Sequence, residues 1–289
     1  MSDKYTGREI AIFTDVHGLL HPLISILEDI KNRGITEIYS LGDNIGVGPN
    51  PSQVLDLLGE YGVKIVNGNS EEYSALGIEP FLSYFDENKI KSQEWTLDQL
   101  TAKQIEALKN NKHSYDLVVG GMKIGLCHFA NDVRIDFGAN STWTYQNSVN
   151  FCLTNPQKQF YYTNSKGQLE QIENRVKRNL KEDKGFVSAK NDPIFEHKTV
   201  DYYDEIIQGH VHFKMLTEDL KVKIRTIRAA GMAYGKDPID FASYIIIKEK
   251  TKGYEVEEVL VPFNRYLMEK SINDSNMPDK VTITKFTSK

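Results

Sequence analysis

The chain has few of the residues that mark secreted or membrane proteins. Its 289 residues include two cysteines, Cys127 and Cys152, which form no Cys-x-x-Cys pattern. A disulfide-stabilised scaffold and a cysteine-ligated zinc site are therefore not indicated. No apolar run approaches the ~18 residues of a membrane span or the apolar region of a secretory signal. We expect a cytoplasmic protein without a membrane partner, in which Cys127 is a buried, inert thiol.

The chain also lacks an excess of basic residues. Its 35 lysines and arginines are outnumbered by 40 aspartates and glutamates, which gives a formal net charge of -5. Nucleic acid is therefore not the expected partner, because domains that bind it are usually basic. A phosphate-bearing substrate would have to be held locally, by metal ions or by a basic patch. A homo-oligomer is compatible with this composition.

Strand and helix patterns alternate at the start of the chain. Apolar, strand-like runs at 10–14, 38–41 and 63–66 are separated by two segments of helical spacing, in which Pro22 and Pro51 suit a first turn. This βαβαβ order predicts parallel strands and an α/β fold. Later strand-like segments indicate a hairpin and then a second sheet: 117–119, 122–126, 205–208, 222–228, 243–247 and 256–261.

The strands are interrupted by two inserts, and we expect one domain over residues 1–270. The first insert, at about 71–115, is predicted to be helical, with Thr101 and Gln104 as a capping box. The second, at about 129–203, is predicted to be irregular, with an amphipathic helix starting at Leu169. Both inserts flank the same sheet edge, which suggests a cap. Residues 271–289 are predicted to be a loosely attached polar tail.

Five short polar motifs occur in order, and the first three directly follow strand-like runs. Because ligands bind at the carboxyl ends of strands in α/β sheets, the motif side chains are expected to converge. The motifs are Asp15-Val16-His17, Gly42-Asp43-Asn44-Ile45-Gly46, Gly68-Asn69, a lone His128, and Gly209-His210-Val211-His212.

The motifs supply two carboxylates, one amide oxygen and four imidazoles. Metals of the Mn, Fe, Co and Zn group accept imidazole and carboxylate together, and seven ligands suit two such ions that share one carboxylate. Two ions ~3.5–4 Å apart can hold a bridging hydroxide that attacks an esterified phosphate. The seven candidate ligands are Asp15, His17, Asp43, Asn69, His128, His210 and His212.

The motif set resembles that of the calcineurin-like metallophosphoesterase superfamily, whose motifs read D-x-H, G-D-x-x-G, G-N-x-[E/D], H and G-H-x-H. The segment Trp95–Thr101 is similar to one in its small bacterial and archaeal phosphodiesterase branch, whose relatives include diadenosine polyphosphate hydrolases. The resemblance implies two packed mixed sheets flanked by helices, with manganese or iron favoured as the metals.

The resemblance also implies roles for individual residues. One metal would be held by Asp15, His17 and His212, the other by Asn69, His128 and His210, and Asp43 would bridge them. Asp43, Asn69 and His128 would carry the catalysis.

Two positions depart from the family pattern. Many family members have a histidine directly after the Gly-Asn pair, where this chain has Ser70. Lys236 stands where the branch has an arginine, which it could replace only as a point charge.

Five residues are candidate substrate contacts, and most have a structural alternative. Ser70 and Lys236 are candidates because they occupy positions at which the family has functional residues. His21 is either structural, at a helix start, or faces substrate. The basic run that includes Arg175 and Arg178 is either a solvated helix face or a contact for a polyphosphate.

The leading functional hypothesis is a dinuclear metal-dependent phosphohydrolase of phosphodiesters or nucleotide phosphoanhydrides. A dinucleoside polyphosphate hydrolase is its more specific form, and a nuclease is a second enzymatic reading that the net charge disfavours. The third hypothesis is of a different class: a metal-bound interaction module without activity. The complete ligand set argues against it.

Overall fold

A computed structural model describes residues 4–79, 82, 85–128, 161–163, 169–171, 202–210, 212, 214–217, 223–232 and 240–287. In chain order, the strands are β1 Tyr5–Phe13, β2 Glu37–Ser40, β3 Lys64–Ile65, β4 Ser114–Val119, β5 Met122–Cys127, β6 Tyr161–Thr163, β7 Leu169–Gln171, β8 Glu205–Gln208, β9 Met215–Thr217, β10 Lys223–Thr226, β11 Phe241–Lys250 and β12 Tyr254–Pro262. The helices are α1 Leu20–Asn32, α2 Pro51–Glu60, α3 Asn69–Leu76, α4 Glu87–Asp98, α5 Ala102–Asn110, α6 Arg265–Asp274 and α7 Lys280–Thr287.

Two five-stranded mixed sheets form the centre of the described structure. The first has the order β12-β11-β1-β2-β3 and the second the order β4-β5-β8-β10-β9. β1, β2 and β3 run parallel, as the βαβαβ pattern predicts, whereas β11 pairs antiparallel with β1. The prediction that the strands near 243–247 and 256–261 belong to the second sheet is therefore wrong, because β11 and β12 complete the first sheet instead.

The alternation of side chains along β1 shows how the layers stack. Ile10 and Ile12 lie in a buried cluster with Leu126 and Ile207 of the second sheet. Ala11 and Phe13 face the opposite way, into a cluster with side chains of α1 and α2. The two sheets therefore pack face to face, with helices covering the first sheet, which confirms the predicted α/β class.

The helices follow the predicted patterns in the first half of the chain. Pro51 is the first residue of α2, where its missing N–H removes no hydrogen bond. Thr101 and Gln104 form the predicted capping box at the start of α5. Leu100 and Leu108 belong to the same buried cluster as α1 and α2, so this part of the first insert shares the main core.

Two segments differ from their predictions. Leu169 lies in β7, a three-residue strand paired with β6, and not at the start of a helix. The segment expected to be a loosely attached tail forms the end of α6 and α7. Its side chains Ile272, Met277 and Ile283 are buried in a cluster with Leu19. The apolar residues of this segment are sparse and not all buried, since Val281 is exposed, so the sequence pattern gives no clear helical signal.

No helix among the described residues is long and apolar enough to cross a membrane. Cys127 is buried at the end of β5, as predicted.

Candidate metal centre

The loops that follow β1, β2, β5 and β8 and the start of α3 meet at one edge of the two sheets. They carry all seven predicted ligands, each of them buried. The structure thus brings together, in one place, side chains from positions as far apart as Asp15 and His212. Their role as ligands stays a prediction.

The backbone at this centre is strained. Five non-glycine residues in the described structure have φ between 50° and 72°: Asp15, His17, Asp43, His210 and His212. Each is a predicted ligand, and residues with side chains rarely adopt this left-handed region. Such conformations persist where the surrounding structure enforces them, and they are concentrated at functional sites.

Two glycines allow the loops to approach one another. Gly42 has a φ of 94°, and a Cβ there would lie 2.5 Å from the Gly68 amide nitrogen. A Cβ on Gly209 would lie 2.0 Å from Thr14 Oγ1 and 2.7 Å from Asp15 Oδ2. A side chain at either position would push two ligand-bearing loops apart.

Asp15, His17 and His212 form the first group of candidate ligands. Their ligand atoms lie within 4.8 Å of one another. His17 Nε2 is 2.9 Å from His212 Nε2 and 3.7 Å from Asp15 Oδ1, and His212 Nε2 is 3.4 Å from the same oxygen. The three side chains therefore converge on one point.

His128, His210 and Asn69 form the second group, together with Asp43. Asn69 Oδ1 is 3.3 Å from His128 Nε2 and 3.1 Å from His210 Nδ1, and the two imidazole nitrogens are 3.1 Å apart. Ligand atoms of Asp43, His128 and His210 lie within 4.8 Å of one another.

Asp43 lies between the two groups. Its Oδ2 is 3.9 Å from His17 Nε2 of the first group and 3.6 Å from His128 Nε2 of the second. Its other oxygen, Oδ1, accepts a hydrogen bond from the Ser70 amide at 2.8 Å. One oxygen is therefore fixed by the protein while the other faces both groups.

Neighbouring hydrogen bonds orient the candidate ligands. His128 Nδ1 donates to the Leu41 carbonyl at 2.8 Å, which leaves Nε2 with a lone pair that faces the centre. Asp15 Oδ2 accepts from Thr14 Oγ1 at 2.8 Å and from the His210 amide at 2.9 Å. Asp15 Oδ1 is buried without a hydrogen-bond donor among the described residues.

Glu71 holds two of the loops together. Its Oε2 accepts from the amides of Asp43 and Gly68, at 2.8 and 2.9 Å. Its Oε1 accepts from the amide and the side chain of Asn44, at 2.7 and 3.1 Å. Burial and the charge of Asp43 raise the pKa of Glu71 to about 7, against the opposing effect of its amide donors.

Burial and neighbouring charges set the protonation of the candidate ligands. Burial would raise the pKa of Asp15, but His212, His128 and His17 lower it below its ordinary value. Burial and the His212 imidazole lower the pKa of His17 to about 4. At neutral pH, an ionised carboxylate and a neutral imidazole are thus available as ligands.

The donor set fits two divalent transition-metal ions. Buried polar groups normally have partners, yet Asp15 Oδ1 has no hydrogen-bond donor in the described structure and lies beside two imidazoles. A cation placed there would satisfy this oxygen and the imidazole lone pairs together. The mixture of imidazole, carboxylate and amide suits Mn, Fe, Co or Zn.

Of the five predicted substrate contacts, two lie within the described residues, Ser70 and His21. Ser70 is buried beside Asp43 and is part of the centre. His21 is half-buried in the first turn of α1 and belongs to neither ligand group. Lys236, Arg175 and Arg178 lie outside the described residues, so their roles stay predictions.

Sequence reasoning missed Lys89, a half-buried cation on α4 whose charge acts on Asp43 and His17. No motif marks it, because α4 is a largely polar helix.

The chain is similar to known proteins in sequence over part of its length and in fold over nearly all of it. No family model matches the chain. An uncharacterised protein of Methanocaldococcus jannaschii is 33% identical over 119 residues, which are 41% of this chain and 48% of that protein. The match thus spans about half the length of this curated relative.

Two solved structures superpose on nearly the whole chain. A hypothetical protein from Pyrococcus horikoshii has a TM-score of 0.64 at 14% identity, covering 97% of this chain and 99% of that one. A metallophosphoesterase from Sphaerobacter thermophilus has a TM-score of 0.59 at 18% identity, with the same coverage of 97% and 99%. The chain therefore has the calcineurin-like metallophosphoesterase fold.

Proposed function

We propose that this chain is a phosphohydrolase dependent on two metal ions, which cleaves phosphodiesters or nucleotide phosphoanhydrides. The observation that carries the proposal is the position of Asp43, whose Oδ2 faces an imidazole of each ligand group. The shared fold with a metallophosphoesterase supports the same reaction class.

The residues divide into two metal sites with one shared ligand. Asp15, His17 and His212 would hold one ion, Asn69, His128 and His210 the other, and Asp43 would contact both. When bound, the two ions supply Lewis acidity for an attacking water and positive charge for the phosphate.

The protein's own groups then act by position and by charge. Asp43 is held by the Ser70 amide, so that its free oxygen stays between the two groups. His128 keeps one tautomer through Leu41. The buried surroundings exclude bulk water, which strengthens electrostatic interactions with a phosphate.

The proposed substrate class follows from the absence of a histidine at position 70, where this chain has Ser70. A serine hydroxyl is a weak acid, so it favours substrates whose leaving group is stable as an anion, such as an aryl oxide or a phosphate chain. Dinucleoside polyphosphates meet this condition and are the more specific proposal. Nuclease activity is disfavoured by the net charge of -5.

The test is the substitution Asp43→Asn in the purified protein. Asparagine can still accept from the Ser70 amide, so the fold should persist, but the charge shared by both metal groups is lost. We expect lower manganese content by elemental analysis and a loss of about 10³-fold or more in hydrolysis of bis(p-nitrophenyl) phosphate.

Asp56→Asn is the matched control, because Asp56 is an exposed carboxylate on α2. It should leave both measurements unchanged. Near-normal turnover with two metals in Asp43→Asn would show that Asp43 is not the shared ligand. A wild-type protein that binds both metals but cleaves no diester or anhydride would be an interaction module instead.

A further inference from the structure

Lys89 lies over two aromatic rings, one of which, Tyr73, is one helical turn after Ser70 on α3. Its Nζ lies 5.4 Å from the ring centroid of Tyr73 and 5.8 Å from that of Phe85. The two rings meet edge to face, with centroids 4.9 Å apart. Cations within about 6 Å of an aromatic ring are attracted to its face. The ammonium group of this half-buried residue is therefore positioned and not free to sample solvent.

The charge of Lys89 interacts with two candidate metal ligands as well as with Asp86 and Asp279. Burial lowers the pKa of Lys89, and Asp43 is the strongest of the carboxylates that oppose this effect. Lys89 in turn contributes to the lowered pKa of His17. Within the described part of the chain, Lys89 makes no ion pair by its Nζ, so its charge is available to a ligand.

A buried hydroxyl belongs to the same helix as Tyr73. Ser70 Oγ is buried and has no hydrogen-bond partner among the described residues. A Cβ on Gly46 would lie 2.8 Å from this oxygen and 3.7 Å from Gln93 Nε2. Gln93 is one helical turn after Lys89 on α4, and the two therefore share a face of that helix.

We propose that Lys89 and Ser70 form a subsite for a phosphate oxyanion beside the metal pair, with Lys89 as its cation and Ser70 Oγ as a hydrogen-bond donor. This inference rests on the proposed function and deepens it, because it names a substrate-binding residue that no motif contains. The oxyanion belongs either to the phosphate under attack or to a phosphate of the leaving group.

The subsite explains how the chain functions without a histidine at position 70. Charge that develops on the phosphate or its leaving group needs a positive partner, and the Ser70 hydroxyl has no charge. An ammonium on a flexible stem can follow the oxygen as it moves during cleavage.

The first experiment measures binding, so that it does not depend on turnover. The manganese-loaded wild type and Lys89→Met are titrated with inorganic phosphate in a calorimeter. A hydrogen bond from a charged donor predicts about 10- to 100-fold weaker phosphate binding by the variant. Lys89→Arg keeps the charge and should retain most of the affinity.

The matched control is Lys91→Met on the same helix. Lys91 is exposed, and its Nζ lies 2.6 Å from Glu87 Oε1. Its substitution should leave phosphate affinity unchanged. Manganese content and thermal melting are measured for every variant, and Lys89→Gln replaces Lys89→Met if the latter loses metal or fails to fold.

The second experiment separates the two sources of the oxyanion. If Lys89 contacts the phosphate under attack, Lys89→Met lowers kcat/KM for bis(p-nitrophenyl) phosphate and for a dinucleoside polyphosphate alike. If it contacts a leaving-group phosphate, only the polyphosphate is affected. Equal phosphate affinity in wild type and Lys89→Met, or no phosphate binding by the metal-loaded wild type, overturns the subsite.

The two proposals can fail separately. A wild type that binds metals and phosphate but cleaves no substrate contradicts the proposed function, while the phosphate affinities still decide the role of Lys89.

Discussion

Ser70 is the residue whose chemistry would most limit the substrates of the proposed phosphohydrolase. Its hydroxyl is buried at the centre and its amide is bonded to Asp43. Expelling an alkoxide requires a proton, and a well-placed general acid contributes ~10² to 10⁴-fold. We therefore expect a steep dependence of rate on the pKa of the leaving group, with alkyl monoesters cleaved least.

Ser70→His should flatten that dependence. Gly46 lies against Ser70, since a Cβ there would be 2.8 Å from Ser70 Oγ, so this effect requires that the imidazole fits beside Gly46 and reaches the leaving oxygen. Rates for a series of aryl and alkyl phosphates are compared among wild type, Ser70→His and Ser70→Ala, the last showing the effect of losing the hydroxyl alone. If wild type already cleaves alkyl monoesters as fast as aryl diesters, another acid is present, and Lys89 and Glu71 are the first to test.

At the residue scale, the sequence predicts those positions that a motif marks. The seven candidate ligands could be named because each follows a strand or a glycine at a fixed spacing. The left-handed backbone at Asp15 and His17 could not be predicted, since such conformations are imposed by packing from distant segments. Lys89 could not be predicted as a site residue either, because its contacts with the rings of Tyr73 and Phe85 exist only in the folded chain.

At the scale of elements, the Glu71 carboxylate ties α3 to the loop after β2, in addition to the bond from the Ser70 amide to Asp43. Each oxygen of Glu71 accepts two N–H donors. In Glu71→Gln, the side-chain amide would direct its own N–H groups at two of these donors. We expect this variant to lose about 3 kcal/mol of unfolding free energy, since hydrogen bonds to charged groups contribute about 1.5–3 kcal/mol each.

The effect is measured by urea denaturation of the metal-free proteins over a range of pH. Because burial raises the pKa of Glu71 from 4.5 to about 7, ionisation of this group costs stability, and the difference between wild type and Glu71→Gln should narrow as the pH rises through that range. Glu87→Gln, an exposed substitution in the first turn of α4, is the control. Manganese affinity should also fall in Glu71→Gln, because the loop carrying Asp43 loses its support. Unchanged stability would mean that the loops are held by other contacts.

Elements were predicted more accurately than their partners. Periodicity identifies α1, α2 and most strands, because it reports which face of an element is buried. It does not say against which strand an element lies, so β11 and β12 were assigned to the second sheet. The helices α6 and α7 were missed because their apolar residues do not share one buried face: Met268 and Ile283 are buried, whereas Tyr266 and Val281 are exposed.

At the scale of the whole molecule, metal binding and stability should be coupled. A ligand that binds only the folded state stabilises it, by about 2.7 kcal/mol at 100 times its dissociation constant. The five strained residues, each costing about 1–3 kcal/mol, have their side chains directed at the same centre. Metal removal should therefore lower the melting temperature by roughly 5–10 °C.

The measurement is a thermal melt of wild type with excess manganese and with a chelator. Asp43→Asn provides the comparison, since it should show a smaller difference between the two conditions. Identical melting temperatures for wild type in both conditions would contradict the assignment of the seven residues as metal ligands.

The place of β1 at the middle of the first sheet has a consequence for synthesis on the ribosome. Its backbone pairs with β2 on one side and with β11 on the other, and β11 begins only at Phe241. While the intervening chain is being made, one edge of β1 has no native partner. Unpaired apolar strand edges promote aggregation of nascent chains. We therefore expect the first sheet to be completed only after β11 has been made, and chaperones that shield Ile10–Phe13 during synthesis to raise the yield.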